Sequence, residues 1–469
     1  TGKDSMSMRT SWQDDDGDHQ VVAPVSLIVS AFAPVSDVTR HLTPQLRESD
    51  EPTYLLLFDL GDGKNRLGGS CLAQVYRRRG GTTPDLDDAQ KLVGLFGAVQ
   101  ELSARGMILA YHDRSDGGLL ATVSEMIFAS RLGVSLALDG SHEELLHTLF
   151  SEEIGAVVQV EKSKLTQVQM VLDHHNIAAA AIGRVEEQAK LTVHSGDDVV
   201  LDLDRRELQR EWSAMSHRIQ SLRDNPVTAK EELDSVLDDK NPGLNATLSF
   251  DPDEDVARSF CKGAKPRVAI LREQGVNSQH EMAAAFIRAG FAAVDVHMSD
   301  LLSGRDSLAN YQGLVACGGF SFGDVLGAGG GWAKAILYHS RTRDDFASFF
   351  ARTSTFALGG CNGCQMLSHL RDLRPGAANW PRFLRNKSEQ FEARLSLVEV
   401  VESPSLFLGG MAGSRLPIAT SHGEGRASFA DDAARYASSY TIAVRFVDNF
   451  GDVAERYPAN PNGSPDGIC

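Results

Sequence analysis

Apolar and polar positions change their period several times along the chain. Tyr54 to Phe58 is a compact apolar run of strand length; a Gly/Asp loop, Asp59 to Gly69, follows it, and Cys71 to Tyr76 reads as a second strand. Leu92, Leu95, Phe96, Val99 and Leu102 recur at helical spacing and predict one amphipathic face. Short apolar runs at Ile108–Tyr111, Val134–Leu138, Ala156–Val160 and Leu191–Val193 predict further strands with helices between several of them. Together they describe a mixed α+β domain over residues 51–205. Residues 1–50 hold a polar opening and then an apolar segment, Val25 to Ala33, that suits a buried strand.

The stretch 206–264 is charged and turn-rich, with Asn225-Pro226, Asn241-Pro242-Gly243 and the acidic run Asp251 to Asp255. It reads as a linker carrying short helices, one of them around Leu208 to Ile219. A second regime fills 265–469. Val268–Leu271 predicts a strand, and Glu281 to Ala289 a helix stopped by Gly290. Strands follow at Ala293–Val296 and Leu314–Cys317, and another at Thr355–Leu358 runs straight into a helix. Such alternation argues for a doubly wound parallel sheet, whose ligands sit at the carboxyl ends of the strands.

Composition narrows the classes. The 469 residues suggest about three folded units. Lysine and arginine total 46 against 63 acidic residues, a formal charge of −17, which argues against a nucleic-acid or anionic-membrane binder. Six cysteines in this length are too sparse for a disulfide scaffold. The uncharged apolar stretch Val21 to Val35 is broken by Pro24 and Pro34 and is too short to span a bilayer. Lys3, Asp4 and Arg9 stand where a signal peptide would be apolar, so a reducing cytoplasm is the expected location. The opening at Thr1 and the turn-forming run Asn460 to Gly467 read as cut ends, and the chain as a fragment.

The sharpest chemical signal is Gly359-Gly360-Cys361-Asn362-Gly363, placed between an apolar strand and a helix whose inner face is Met366, Leu367, Leu370 and Leu373. It has the G-x-nucleophile-x-G form of a nucleophile elbow, with cysteine as the nucleophile. A tight strand-to-helix turn demands small flanking residues, and the helix N-terminus lowers the thiol pKa and offers amides to an oxyanion. Three alternatives stay open: a Cys361/Cys364 redox pair, half a zinc site lacking a second C-x-x-C, and a buried structural cysteine. Cys317-Gly318-Gly319 ends the preceding strand in a glycine-rich loop that suits the second half of an oxyanion hole. His369 reads as a surface residue. His422, with Glu424 two positions on, is the better base from sequence, or else part of a loop that shapes the pocket. In the first half, His112 to Gly118 leaves a strand and enters a helix. Its carboxylates, hydroxyl and glycine pair suit a magnesium-nucleotide site, or simply cap the helix.

These motifs resemble the C-terminal part of the large, single-chain phosphoribosylformylglycinamidine synthases, or formylglycinamide ribonucleotide amidotransferases, of purine biosynthesis. The resemblance covers essentially the whole chain. It is carried by Gly2 to Met8, Tyr111 to Gly118, Leu271 to Ser278, Gly318 to Asp324, Cys361 to Gln365, Trp380 to Phe383, Ser421 to Arg426 and Tyr457 to Ser464.

It implies the tail of a synthetase N-terminal-type domain over 1–50, an aminoimidazole ribonucleotide synthetase-like C-terminal domain over 51–205, and an incomplete class I glutamine amidotransferase domain over 265–469. The implied activity is an ATP-dependent carbon-nitrogen ligase. Ammonia released from glutamine would convert formylglycinamide ribonucleotide to formylglycinamidine ribonucleotide, with glutamate, ADP and phosphate as the other products. ATP and Mg2+ are the implied cofactors, and the missing N-terminal part of the same chain is the implied partner. No nucleic acid and no membrane enter this reading. The resemblance assigns the nucleophile to Cys361, the oxyanion and glutamine pocket to Gly318, Gly319, Asn362 and Gln365, the magnesium ligand to Asp113 and the ATP contact to Ser115. It also takes His422 out of the triad. The triad histidine and glutamate belong to a His-Pro-Glu segment expected beyond this sequence, so the stretch alone is expected to be nearly inactive. A non-catalytic nucleotide- or partner-binding module is the second expectation.

Overall fold

The structure is a computed structural model that describes residues 9–22, 30–35, 37–324 and 327–469. It divides into two compact units, Thr1–Arg205 and Arg206–Cys469.

The first unit opens with a hairpin, β1 (Arg9–Asp14) and β2 (Gly17–Val22), paired antiparallel. Strand β3 (Thr53–Asp59) follows, then α1 (Cys71–Val75), α2 (Ala89–Ala104), β4 (Ala110–Arg114), α3 (Gly118–Ser130) and β5 (Gly133–Ala137). The unit is completed by α4 (His142–Phe150), β6 (Gly155–Glu161), α5 (Leu165–His174), β7 (Ala179–Glu186), β8 (Lys190–Ser195) and β9 (Asp198–Asp204). Seven strands form one sheet in the order β4-β6-β3-β7-β5-β8-β9, with β3 antiparallel to both neighbours. Leu56 and Phe58 of β3 pack with Leu95 and Leu102 of α2 and Val168 and Leu172 of α5 into one core.

Two sequence expectations change here. Cys71 to Tyr76 is helical, not a strand, because Ser70 caps it: its hydroxyl accepts from the Ala73 amide at 3.2 Å and its carbonyl from Gln74 at 3.0 Å. The α2 stripe is buried at Leu95 and Leu102, whereas Leu92 and Phe96 are 42% and 69% exposed. The expected strand at Val25 to Ala33 lies partly outside the described residues, as does the Gly2 to Met8 motif. Its described part, from Ser30, is irregular and exposed.

The second unit begins with α6 (Arg205–Arg223) and α7 (Pro226–Val236), so the stretch read as a linker carries two full helices before turning irregular. Asn225 caps α7 through the Val227 amide, and Pro226 takes the first helical position. Then come β10 (Arg267–Arg272), α8 (Gln279–Arg288), β11 (Ala292–His297), α9 (Met298–Ser303) and β12 (Gly313–Ala316). A single turn α10 (Ser321–Asp324), interrupted by left-handed Phe322 and Gly323, precedes α11 (Ala328–Leu337), α12 (Ser340–Ala351), β13 (Phe356–Gly359) and α13 (Asn362–His369).

Strands β11-β10-β12-β13 form a wholly parallel sheet in that order, an α/β arrangement whose inner strands β10 and β12 are buried on both faces. Its core joins Ile270, Leu271, Leu314 and Val315 to Trp332, Phe346 and Met366. The rest of the unit is antiparallel: β14 (Arg382–Leu384) pairs with β17 (Arg426–Ser428), and β15 (Glu392–Val400) lies between β16 (Arg415–His422) and β18 (Val444–Phe446). No described helix is long and apolar enough to cross a membrane.

Candidate active site

The carboxyl ends of β12 and β13 build the site. The Gly360 amide donates to Ala316 O at 3.0 Å, so the chain leaving β13 stays against β12 until Cys361. There it turns sharply: Cys361 has φ 47° and ψ −113°, a left-handed backbone that a β-carbon disfavours. The flanking glycines show what the turn requires. A β-carbon on Gly363 would stand 2.1 Å from Ala316 O, and one on Gly359 2.8 Å from Leu367 Cδ1. One on Gly360 would meet open space. The first and last glycines of the motif are therefore fixed by packing, and the middle one is not.

Cys361 is exposed on a cavity of about 510 Å³ that also takes in Gly318, Gly319, Asn362 and Gln365. All five residues assigned to this chemistry from sequence thus line one cavity. A β-carbon on Gly318 would lie 3.0 Å from Cys361 Cβ, so the loop backbone stands directly beside the thiol carbon. Gly319, at φ 137°, approaches so closely that a β-carbon would sit 2.8 Å from the Asn277 amide nitrogen.

The cysteines separate by environment. Burial pushes the Cys364 thiol up to about 11, and burial with the Asp295 and Glu281 charges does the same for Cys317. Cys364 faces a different cavity, of about 290 Å³, shared with Leu367, Trp380 and Phe383. The Cys361/Cys364 redox-pair reading loses support because the two side chains line separate spaces. Zinc loses support too. Among the described residues, the group of His, Cys, Asp and Glu close enough to share a cation is Cys71, Asp116 and Glu152, far along the chain.

The far wall is the loop after β16. Cys361 Sγ lies 3.7 Å from Ser421 O, and among the described residues no histidine is bonded to the thiol. His422 packs its ring on Gly425, where a β-carbon would fall 2.2 Å from Cε1, and among the described residues its buried Nδ1 has no hydrogen-bond partner. Burial holds its pKa below the ordinary histidine value, so the ring is neutral at pH 7. His422 thus shapes the wall. His369 is half-buried rather than a surface residue, packed where a Gly330 β-carbon would be 3.2 Å away. Burial and the charges of Arg382, Lys334 and Arg371 depress its pKa.

A polar chain ties these walls together; the sequence reading named its members Asn362 and Gln365 but not Ser321 or the Glu424 carbonyl. Ser321 Oγ donates to Asn362 Oδ1 at 2.5 Å, Asn362 Nδ2 to Gln365 Oε1 at 3.1 Å, and Gln365 Nε2 to Glu424 O at 2.8 Å. Buried Asn386 holds the His422 loop. Its Nδ2 donates to His422 O at 2.7 Å and Gln390 O at 3.0 Å, its Oδ1 accepts from Gly425, and its amide donates to Gly423. Asn386→Ala leaves several buried backbone groups unpaired and is expected to cost about 2–3 kcal/mol. Thermal unfolding of the variant checks this, and an unchanged melting temperature would contradict it.

Asp113 and Ser115 lie in the first unit, at the end of β4 and in the turn before α3, and both are exposed. Asp113 Oδ1 accepts from the Tyr111 hydroxyl at 2.6 Å. Burial and that carboxylate push the Tyr111 phenol pKa up. Arg114, between them in sequence, turns inward to Asp59 and to Glu153 O, and so orders the strand end. Burial acts to raise the Asp59 pKa, but the Arg114 charge and the amides of Gly63 and Gly61 hold it below the usual range.

Gly117 and Gly118 are both left-handed, and a β-carbon on Gly118 would meet backbone atoms of Phe150, Ser151 and Leu149 at 2.7–2.8 Å. Here the glycine pair is a packing requirement of the helix entry. Glu152 Oε1 accepts the amides of Gly117 and Cys71, at 2.9 and 2.8 Å. Asp113, Asp116 and Glu152 are hard oxygen donors of the kind magnesium takes. Asp113 also lines a cavity of about 610 Å³ with Tyr111, Arg40 and Glu152, whereas Ser115 does not reach its wall.

Comparison with known proteins gives three domain matches. Residues 265–469 match the CobB/CobQ-like glutamine amidotransferase domain, residues 56–196 the C-terminal domain of AIR synthase related proteins, and residues 1–34 the FGAR-AT PurM_N-like domain. Among solved structures, the chain is similar to Thermotoga maritima PurL complexed with ATP, at 18% identity over 36% of this chain and 27% of that one, with a TM-score of 0.30. The same protein complexed with FGAR gives 18% identity over 36% and 30%, with a TM-score of 0.29. Escherichia coli HypE, a hydrogenase maturation protein, gives 23% identity over 35% and 52%, with a TM-score of 0.27. The chain spans about a quarter of the length of the first of these structures.

Proposed function

For a chain of the FGAR amidotransferase (PurL) type, we propose that the second unit releases ammonia from glutamine at Cys361. We propose further that the first unit serves the ATP-dependent step in which that ammonia amidates formylglycinamide ribonucleotide. The observation that carries the reading is the strained, exposed Cys361 on its elbow, facing a cavity shared with the Gly318-Gly319 backbone.

In the proposed chemistry the Cys361 thiolate attacks the side-chain amide carbon of glutamine. A carbon-sulfur bond forms as the carbonyl electron pair moves onto oxygen. Backbone amides at the start of α13 and in the Gly318-Gly319 loop suit that charge. Collapse of the adduct breaks the carbon-nitrogen bond, ammonia leaves, and water cleaves the thioester to give glutamate. Asn362 and Gln365 are bonded to each other at the cavity wall and suit a role in shaping the glutamine pocket. The base belongs, on the resemblance, to a His-Pro-Glu segment rather than to His422, whose ring packs on Gly425 while the thiol meets the Ser421 carbonyl.

In the first unit, Asp113 suits a magnesium ligand and Ser115 an ATP contact. The bound nucleotide would activate the amide oxygen of the acceptor. Asp113→Asn is expected to weaken magnesium-dependent nucleotide binding by about 10-fold or more, while modification of Cys361 by a glutamine analogue stays unchanged. Calorimetric titration with MgADP checks this, and equal affinity in both proteins would contradict it. For the whole reaction, the test is product stoichiometry in the intact enzyme. One glutamate should appear per ADP when glutamine, ATP and formylglycinamide ribonucleotide are supplied, and ADP formed without glutamate would overturn the proposal.

A further inference from the structure

We propose that Glu424 is a positioning residue for this glutamine site: a tertiary clasp that holds the start of α11, where the glycine-rich loop ends, against the nucleophile helix. The inference rests on the reading above.

The loop after β12 has its near end well anchored. Ser278 Oγ donates to Gly318 O at 2.9 Å, and the amides of Phe320 and Phe322 donate to Gly275 O and Gln274 O at 2.9 and 3.1 Å. Beyond this, Phe322 at φ 55° and Gly323 at φ 81° put two left-handed residues in succession, the first of them not a glycine. Strain of this kind persists only where the surroundings enforce it. The far end enters α11 at Gly327, which, lacking a side chain, cannot cap the helix itself. Glu424, 97 residues later, binds the amide of Gly327 itself, the part that a glutamate three positions into the helix plays in a capping box. Both its carboxylate oxygens accept from the Gly327 amide, at 3.1 and 2.9 Å, and a carboxylate at a helix N-terminus is also favoured by the helix dipole.

The same residue reaches the elbow. Glu424 O accepts from Gln365 Nε2 at 2.8 Å, and Gln365 in turn bonds Asn362, the residue next to the nucleophile. One residue thus joins three cavity walls: the loop through its carboxylate, the nucleophile helix through its carbonyl, and the His422 loop through the backbone. The close approach of α11 to α13 fits this, since a β-carbon on Gly329 would fall 2.5 Å from Gln365 Cβ. Loss of the carboxylate releases only the loop contact, because the carbonyl contact is backbone.

The test uses the diazoketone analogue of glutamine, which alkylates an activated thiol with loss of nitrogen. Rate constants for inactivation and half-saturating concentrations are compared, in the intact enzyme, for wild type, Glu424→Ala and Glu424→Gln. Glu424→Ala should lower the limiting rate by about 10–100-fold, since small displacements around a reacting centre have effects of that size. Half-saturation should move less than about 3-fold, because ground-state contacts remain. Glu424→Gln keeps an acceptor for the Gly327 amide and should stay within about 5-fold of wild type. Equal rates in all three proteins would overturn the proposal. So would equal losses in both variants with weakened half-saturation, which mark general damage to the pocket. Hydrogen exchange of the peptide spanning Gly318 to Gly331 provides a readout independent of labelling. It should speed up in Glu424→Ala but not in Glu424→Gln, with strands β10 and β12 unchanged, and an unaltered peptide overturns the proposal. If wild type is not labelled at all, the glutaminase reading fails, while the exchange experiment still decides whether Glu424 holds the loop.

Discussion

Cys361→Ala is expected to reduce glutamine-dependent amidation in the intact enzyme by at least about 10³-fold, while amidation supported by added ammonium salt continues. The argument is local. The thiol is exposed on the cavity that Gly318 and Gly319 also line, and Cys364 faces a different one. Burial leaves Cys364 protonated, with a pKa near 11, so it cannot substitute as a nucleophile at neutral pH. Cys364→Ala should therefore retain glutamine-dependent activity. Steady-state assays with each nitrogen source check both variants. Equal loss with glutamine and with ammonia in Cys361→Ala would point to a structural defect and contradict the assignment.

Gly363→Ala should combine a stability loss with a functional one. Its new methyl would have to occupy a point 2.1 Å from Ala316 O and 2.5 Å from Ala316 C, atoms of a strand in the centre of the parallel sheet. Neither can yield without moving β12, so α13 must lift away. The expected destabilisation is about 1–3 kcal/mol, the range for overpacked interiors. Because α13 carries Asn362 and Gln365 and begins at the nucleophile, labelling of Cys361 should fall by at least about 10-fold. Gly360→Ala is the internal control, since a methyl there meets open space. Chemical denaturation with labelling kinetics tests the pair, and equal behaviour of the two variants would contradict the packing argument.

These two glycines also show what was legible in the sequence. A strand, a turn of fixed glycine spacing and a helix are consecutive, so the elbow could be read from a dozen residues. The same holds for Val268–Leu271, Leu314–Cys317 and Thr355–Leu358, short apolar runs that become three parallel neighbours. Cys71 to Tyr76 was misread because a six-residue apolar stretch fits either period, and the hydroxyl of Ser70 decided between them. The α2 stripe was right in period, but a period does not say how much of a face is covered. Phe96 stays 69% exposed while Leu102 is fully buried.

Of the polar framework of the cavity, Asn362 and Gln365 were named from the sequence, but the long-range partners that complete it were not legible. Asn386 meets His422 across 36 positions and Glu424 meets Gly327 across 97. An asparagine or glutamate carries no local mark of a partner so far along the chain. His422 shows how two local readings of one residue can stay open, a base or a loop that shapes the pocket. A histidine near a glutamate, beyond a nucleophile, has the form of a base, yet its ring packs on Gly425 and the thiol meets a backbone carbonyl instead.

The central claim is that Cys361 is the activated thiol of a glutamine site. Peptide mapping of the intact enzyme after limited treatment with the diazoketone analogue, with and without free glutamine, tests it most directly. The account predicts a single adduct on the peptide containing Cys361, suppressed by glutamine. Adducts spread over the six cysteines, or insensitive to glutamine, would contradict it.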